Sequence, residues 1–351
     1  PDLPEGVTVE LAGFGLGDDS LTGSLFGTLD SKDYTIVGDI FVEATNTLIL
    51  QPGTKFLFDG DYSFIVDGII QAQGTEIDSI IFEGDDFCVG GGCTQCGCTE
   101  CSQPYCFGTP SSNCSSSSPY AGDYDMLEVC PWIEETTMCW TPECNTNLTN
   151  WKGITLNNQT SASIFEYVRI SNVGKYSGRG GAIYFISSEP TFNHVTISNN
   201  QNHERGAGIF MDYSNPTMNN IVIQGNIIDN WNGGWGAGMY LNSSNPTLNN
   251  MVFIDNVTVH YPDNPNYWIS SGGGGLYVEY SDPIITNSAF INNTAMNGAG
   301  ISVIDSGPSF SNIIFADNHS FYDGAAIYFG GDNHSILANI TIAENGVSNE
   351  D

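Results

Sequence analysis

Apolar and polar residues alternate along most of this chain. In TFNHVTI (191–197) and PTLNNMVFI (246–254) the apolar side chains recur at every second position, which is the period of a strand with one face buried. No window of helical length keeps a 3.6-residue apolar stripe, so the pattern predicts an all-β chain. The predicted strands are short and end in Gly, Pro, Asn or Ser, the residues that favour corners.

The same unit then returns. GAGIFMDYSNPTMNNIVIQGN (206–226) and GAGMYLNSSNPTLNNMVFIDN (236–256) are identical at eleven of 21 positions. Related units occupy 179–200, 273–293, 298–318 and 324–345. Each runs Gly-small-Gly, a short apolar strand, a corner, a second alternating strand and a closing Asn. Pro190, Pro216, Pro246, Pro283 and Pro308 mark the corner in five of them and set a period of 25 to 37 residues. The extra length always falls between the closing Asn and the next Gly pair. Strand units repeated at this spacing predict a parallel β-solenoid, each coil stacked on the last. At roughly 4.8 Å per coil, six such coils would span about 30 Å. Asn at equivalent corners can stack in ladders and satisfy turn backbone groups.

Residues 34–85 carry the same alternation between PG, DG and QG corners, as in TLILQPGTKFLF and SFIVDGIIQAQGT, and add about two coils. This string resembles the opening coils of secreted right-handed parallel β-helix repeat proteins. The GGAIYF, SxPT and closing-Asn units resemble the repeats of polymorphic outer-membrane and related bacterial surface proteins. The resemblance covers about two thirds of the chain and implies a right-handed parallel β-helix in an extracellular setting. It does not imply an activity, because this fold hosts lyases, hydrolases, adhesins and inert rods. The expected organisation is an N-terminal cap or docking segment (1–33), first coils (34–86), a disulfide-rich loop insertion (87–150) and main coils (151–351).

That insertion holds all ten cysteines: Cys88, Cys93, Cys96, Cys98, Cys101, Cys106, Cys114, Cys130, Cys139 and Cys144. An even number of cysteines in a Gly, Ser and Pro-rich segment that lacks core residues predicts five disulfides. Thiolate binding of zinc by the dense Cys93–Cys101 cluster is the alternative.

Charge narrows the partners. With 40 Asp and Glu against 7 Lys and Arg, the formal net charge is −33. Phosphate binding needs a basic footprint, so a nucleic-acid partner is excluded and an anionic membrane is disfavoured. No membrane-spanning segment is expected. The first 150 residues hold 24 acids and only Lys32 and Lys55 as bases, so a saline or calcium-containing medium suits them. Asp18 with Asp19, Asp59 with Asp61, and Asp85 with Asp86 could supply oxygen ligands to Ca²⁺, although none sits in an EF-hand pattern. No other cofactor is expected. The start at Pro1 suggests a processed product or a fragment.

Sequons occur at Asn113, Asn147, Asn158, Asn242, Asn256, Asn292, Asn318, Asn333 and Asn339, each a candidate for glycosylation on a surface turn. Catalytic candidates are sparser. The paired carboxylates of a hydrolase and the convergent Arg or Lys base of a lyase are missing from the repeats. Asp212, Glu279 and Asp305 fall at solvent-facing or turn positions. More informative is the turn of variable length, which carries Tyr176, Trp231, Trp235, Tyr261, Tyr267, Trp268, Phe321 and Tyr322. Stacked coils would align these aromatics in a ridge able to bind glycans or a protein partner. The sequence therefore points to a non-enzymatic structural or surface protein that self-associates head to tail. A carbohydrate-binding adhesin and a polysaccharide lyase or hydrolase are the alternatives.

Overall fold

A computed structural model describes residues 19–84, 151–175, 179–230, 233–259 and 271–348. The ten cysteines lie outside the described residues, as do Asn113, Asn147, Tyr176, Trp231, Tyr261, Tyr267 and Trp268. All described residues fall in one compact unit.

The two-residue alternation folds into a right-handed parallel β-helix. A later coil consists of a four-residue strand such as Ile183–Ile186, an eight-residue strand such as Thr191–Ser198, and a two-residue strand such as Gln201–Asn202. Each pairs in parallel with its counterpart one coil on: Ile183 with Ile209, Val195 with Ile221, Gln201 with Ile227. The four- and eight-residue strands belong to a 22-stranded sheet that wraps around the core, and the two-residue strands form a separate seven-stranded sheet. Phe185, Phe192, Val195 and Ile197 point inward and are fully buried.

The coils are already under way at Ser20–Ser24 and Gly27–Leu29, ahead of Tyr34 where the alternation is first legible. Asp33–Val42 serves two faces at once: residues 33–36 pair with Lys55–Phe58, and residues 40–42 pair with Phe64–Val66. Beyond the Cys-rich segment the register resumes without a shift of face. Ile154–Asn157 pairs with Phe64–Val66, while Ile164–Ser171 spans both Ile69–Gln73 and Ile80–Gly84. Trp151 seals this join. It is fully buried, stacks on Phe58 at 4.0 Å, and donates its indole N–H to Ser171 O at 3.0 Å.

Corner chemistry explains the repeated motif. In Gly-small-Gly the first glycine is left-handed, as at Gly236 (φ 66°), while a Cβ on the second, Gly238, would sit 2.4 Å from Gly275 O in the next coil. The Ser of the next corner points inward. Ser188, Ser214, Ser244 and Ser281 are buried, and each backbone N–H donates to the serine hydroxyl of the following coil at 2.9 to 3.0 Å. The closing Asn forms a second ladder. Asn226 Nδ2 donates to Asn256 Oδ1 at 2.9 Å and to Ile197 O at 3.2 Å, and Asn256 repeats this with Asn293 and Ile223. A buried polar group left without its partner costs about 1–3 kcal/mol, so a fully satisfied ladder also fixes the stacking register.

Candidate functional site

The variable turn lies partly outside the described residues, and the Gly corner that follows it holds the best-described cluster near it. Backbone bridges run in parallel from Arg205 to Trp235 and from Trp235 to Gly272, so side chains of successive coils meet there. The Arg205 guanidinium lies 5.1 Å from the Trp235 ring and 5.1 Å from the Tyr240 ring, a double cation–π contact. It also donates to the Tyr240 hydroxyl at 3.0 Å, and that hydroxyl in turn donates to the Glu279 carboxylate.

Tyr240 belongs to an aromatic column. In IYFI, IFMD, MYLN and LYVE the second residue faces away from the core, and the register superposes Tyr184, Phe210, Tyr240 and Tyr277. Phe210 stacks on Tyr240 at 4.9 Å and Tyr240 on Tyr277 at 5.1 Å, with rings parallel within 6°. Arg179 lies 5.8 Å from the Phe210 ring and pairs with Asp212 at 3.4 Å. Burial pushes the phenols of Tyr240 and Tyr277 far above the ordinary tyrosine range. Glu279 adds to both shifts, as a hydrogen-bond acceptor from Tyr240 and as a nearby negative charge for Tyr277. Both remain neutral at physiological pH, so they serve as packing surfaces and hydrogen-bonding groups rather than as bases.

Of the eight turn aromatics, Trp235, Phe321 and Tyr322 are described. Trp235 is half-buried over Arg205, Phe321 meets His319 edge-on at 5.5 Å, and Tyr322 is 47% exposed. The column itself escapes a reading of single units, where each tyrosine is only an outward strand residue. Aligning the second position after each Gly pair would have revealed it.

The described sequons divide by environment. Asn158 and Asn339 are exposed, and Asn333 is half-buried. Asn242 and Asn292 are also half-buried and donate to Asp212 and Asp255 at 2.6 and 2.7 Å. Asn256 and Asn318 are fully buried members of the ladder. Their sequon partners Thr258 and Ser320 are buried as well, so a folded coil leaves no room for a glycan at either position. The match arises because the ladder asparagine and the residue two positions on, in the short strand that follows, are both buried and polar.

Among the acidic pairs, Asp19 binds Lys32, and Asp59 and Asp61 are exposed, while Asp18, Asp85 and Asp86 lie outside the described residues. Among the described residues no three His, Cys, Asp or Glu side chains converge as a metal site, and no helix is long and apolar enough to cross a membrane. No family model, curated protein or solved structure matches the chain.

Proposed function

We propose that this chain is a non-enzymatic structural or surface protein of the extracellular space, built like the β-helix repeats of bacterial surface proteins. The observation that supports this is the pair of buried ladders. They hold one register while the offset between successive ladder asparagines varies as 26, 30, 37 and 25 residues. A frame that stays constant while one turn changes length is suited to displaying that turn. The net charge of −33 keeps such a rod soluble in a saline medium.

Self-association fits the same geometry. The strands Ile327–Gly330 and Ile336–Ala343 pair on one side only among the described residues. Phe329, Leu337 and Ile342, whose register partners Val303, Phe310 and Phe315 are core residues, are 42%, 43% and 59% exposed. A further coil, from chain continuing past residue 351 or from a second copy, would cover them; the proposal is the second copy, stacked head to tail. Electron microscopy at high salt with calcium, before and after chelation, tests this. Ordered filaments are expected, and monodisperse rods at every concentration would overturn the association.

A second reading, carbohydrate binding at the turn, is favoured by the Arg205–Trp235–Tyr240 cluster, which offers an aromatic face beside a cation and a carboxylate. Trp235→Ala is expected to weaken retention on immobilised glycans, and unchanged retention would remove this reading.

A further inference from the structure

The eight-residue strands carry a second feature, remote in the coil from the variable turn. Each bends at its fourth residue, which is left-handed: Tyr167 (φ 48°), His194 (φ 52°), Asn220 (φ 57°), Asn250 (φ 54°) and their successors. One residue makes the bend in all these coils. In the coil before Tyr167, residues 74–79 do the same job between Ile69–Gln73 and Ile80–Gly84. Gly74 lets this longer turn lie against the next coil: its N–H donates to Glu166 O at 2.8 Å, and a Cβ there would sit 2.7 Å from Tyr167 O. The step from a six-residue turn to a one-residue bend leaves a groove of about 400 Å³.

The groove is lined by Glu76 and Ser79 from the long turn, Tyr167 and Arg169 from the next coil, and His194 and Thr196 from the one after. Its size falls within the range of small-molecule clefts. The Tyr167 and His194 rings stack at 4.5 Å, parallel within 3°. Arg169 is the cation among the lining residues. Lys32, Lys55 and Arg179 each have an acidic partner and Arg205 has Tyr240, whereas Arg169, like the exposed Lys152, forms no ion pair among the described residues. Arg169 is exposed, and its neighbours in register are Ile81 and Thr196, which cannot neutralise it. Of the acids flanking its column, Glu166 accepts from Asn193 and Glu83 from Ser171; Glu76, the one acid lining the groove, makes no ion pair with Arg169 and sits on the opposite, long-turn wall. A chain with 40 acids thus holds a guanidinium in a cleft without an acidic partner among the described residues.

We propose that this groove binds one sugar residue carrying a single oxyanion, a carboxylate or a sulfate. Arg169 holds the anion through a forked, charge-assisted contact. Glu76, Ser79 and Thr196 supply hydrogen-bonding groups for the sugar hydroxyls, and the Tyr167–His194 pair forms an aromatic wall. A polyanionic chain is disfavoured, because the net charge of −33 repels it. The site uses none of the residues of the turn-side cluster and does not depend on it.

The test is titration of the full chain at low salt with glucuronate, glucose 6-sulfate, glucose and inorganic sulfate, followed by calorimetry or saturation-transfer NMR. At least one anionic sugar is expected to bind tenfold or more tightly than glucose, and to weaken as salt rises. Comparing glucuronate with the sulfate ester identifies the preferred anion. Arg169→Ala, at an exposed position, is expected to keep the circular dichroism of the native chain and reduce binding to the glucose level. Trp235→Ala is expected to leave it unchanged. Anionic sugars no tighter than glucose, full binding by Arg169→Ala, or loss of binding in Trp235→Ala would each overturn the proposal. Inorganic sulfate binding as tightly as the sugar sulfate would overturn its sugar component.

Discussion

The coils before the Cys-rich segment and those after it stack in the same parallel register but hold their corners differently. Before it, the chain passes from residues 33–36 straight to residues 40–42, and from Lys55–Phe58 to Phe64–Val66, with no strand between. After it, every coil inserts a short strand of the seven-stranded sheet and turns through an additional buried corner. That corner has backbone groups out of reach of water, and the Asn ladder supplies their partners. The earlier coils have no such corner. Their inward polar residue is Thr54, which donates to Gln51 O at 2.7 Å, and rings fill their interior. A side-chain ladder therefore accompanies the extra face rather than the β-helix as such.

Deleting a ring from the early coils should have the largest effect. Phe56 is fully buried and contacts Tyr34, Phe64 and Phe82 at 5.9, 5.6 and 5.0 Å. Phe56→Ala is expected to cost about 3–5 kcal/mol through lost burial and the cavity it leaves. The denaturant midpoint should fall accordingly, and a loss under about 1 kcal/mol would show that these coils do not rely on ring packing.

In the later coils the corresponding weak point is polar. Asn256→Ala strips partners from Asn226 N, Asn226 Nδ2 and Ile223 O, for an expected loss of about 2–4 kcal/mol. Thr258→Ala removes the same sequon, yet the Thr258 hydroxyl has no hydrogen-bond partner, so a change below about 1 kcal/mol is expected. Measured together, the two variants separate ladder from sequon. Equal destabilisation by both would contradict the ladder's role, and a glycan found on Asn256 by mass spectrometry would contradict its burial.

The difference between the halves also explains what was legible beforehand. The period, the Gly-small-Gly corner and the closing Asn were readable because each coil must offer its neighbour the same shelf, so the constraint is written at every repeat. Tyr184, Phe210, Tyr240 and Tyr277 were not read as a group, because nothing within one unit marks an outward tyrosine as stacked. The groove was further out of reach. Glu76 and Arg169 lie 93 positions apart with the Cys-rich segment between them, and the repeat pattern cannot show that residues 74–79 replace a single bend residue. The strands Ser20–Ser24 and Gly27–Leu29 were missed because their Gly-rich sequence carries little alternation.

The outward column predicts an alkaline pH effect in the later coils. The folded-state pKa values of Tyr240 and Tyr277 are raised, so above about pH 10, where an unfolded tyrosine ionises, the folded chain binds more protons than the unfolded one. Stability should be insensitive to these groups through neutrality and should fall as pH rises beyond that point. Tyr240→Phe is expected to flatten this alkaline decline, read as the melting temperature between pH 8 and 11. A decline of unchanged slope would mean that the column does not set it.

The smallest expected effect lies at the bend where the two halves differ most locally. Asn250 makes the turn alone at φ 54°, and its Nδ2 donates to Asn220 Oδ1 at 2.6 Å on the exposed surface. Asn tolerates the left-handed region, Gly adopts it freely, and a β-branched residue is strained there. Asn250→Gly is therefore expected to change stability by less than about 0.5 kcal/mol, while Asn250→Val costs about 1–2 kcal/mol. If both cost the same, the surface hydrogen bond and not the backbone conformation selects Asn. The six-residue turn at 74–79 would then differ from the later bends in chemistry rather than in permitted geometry.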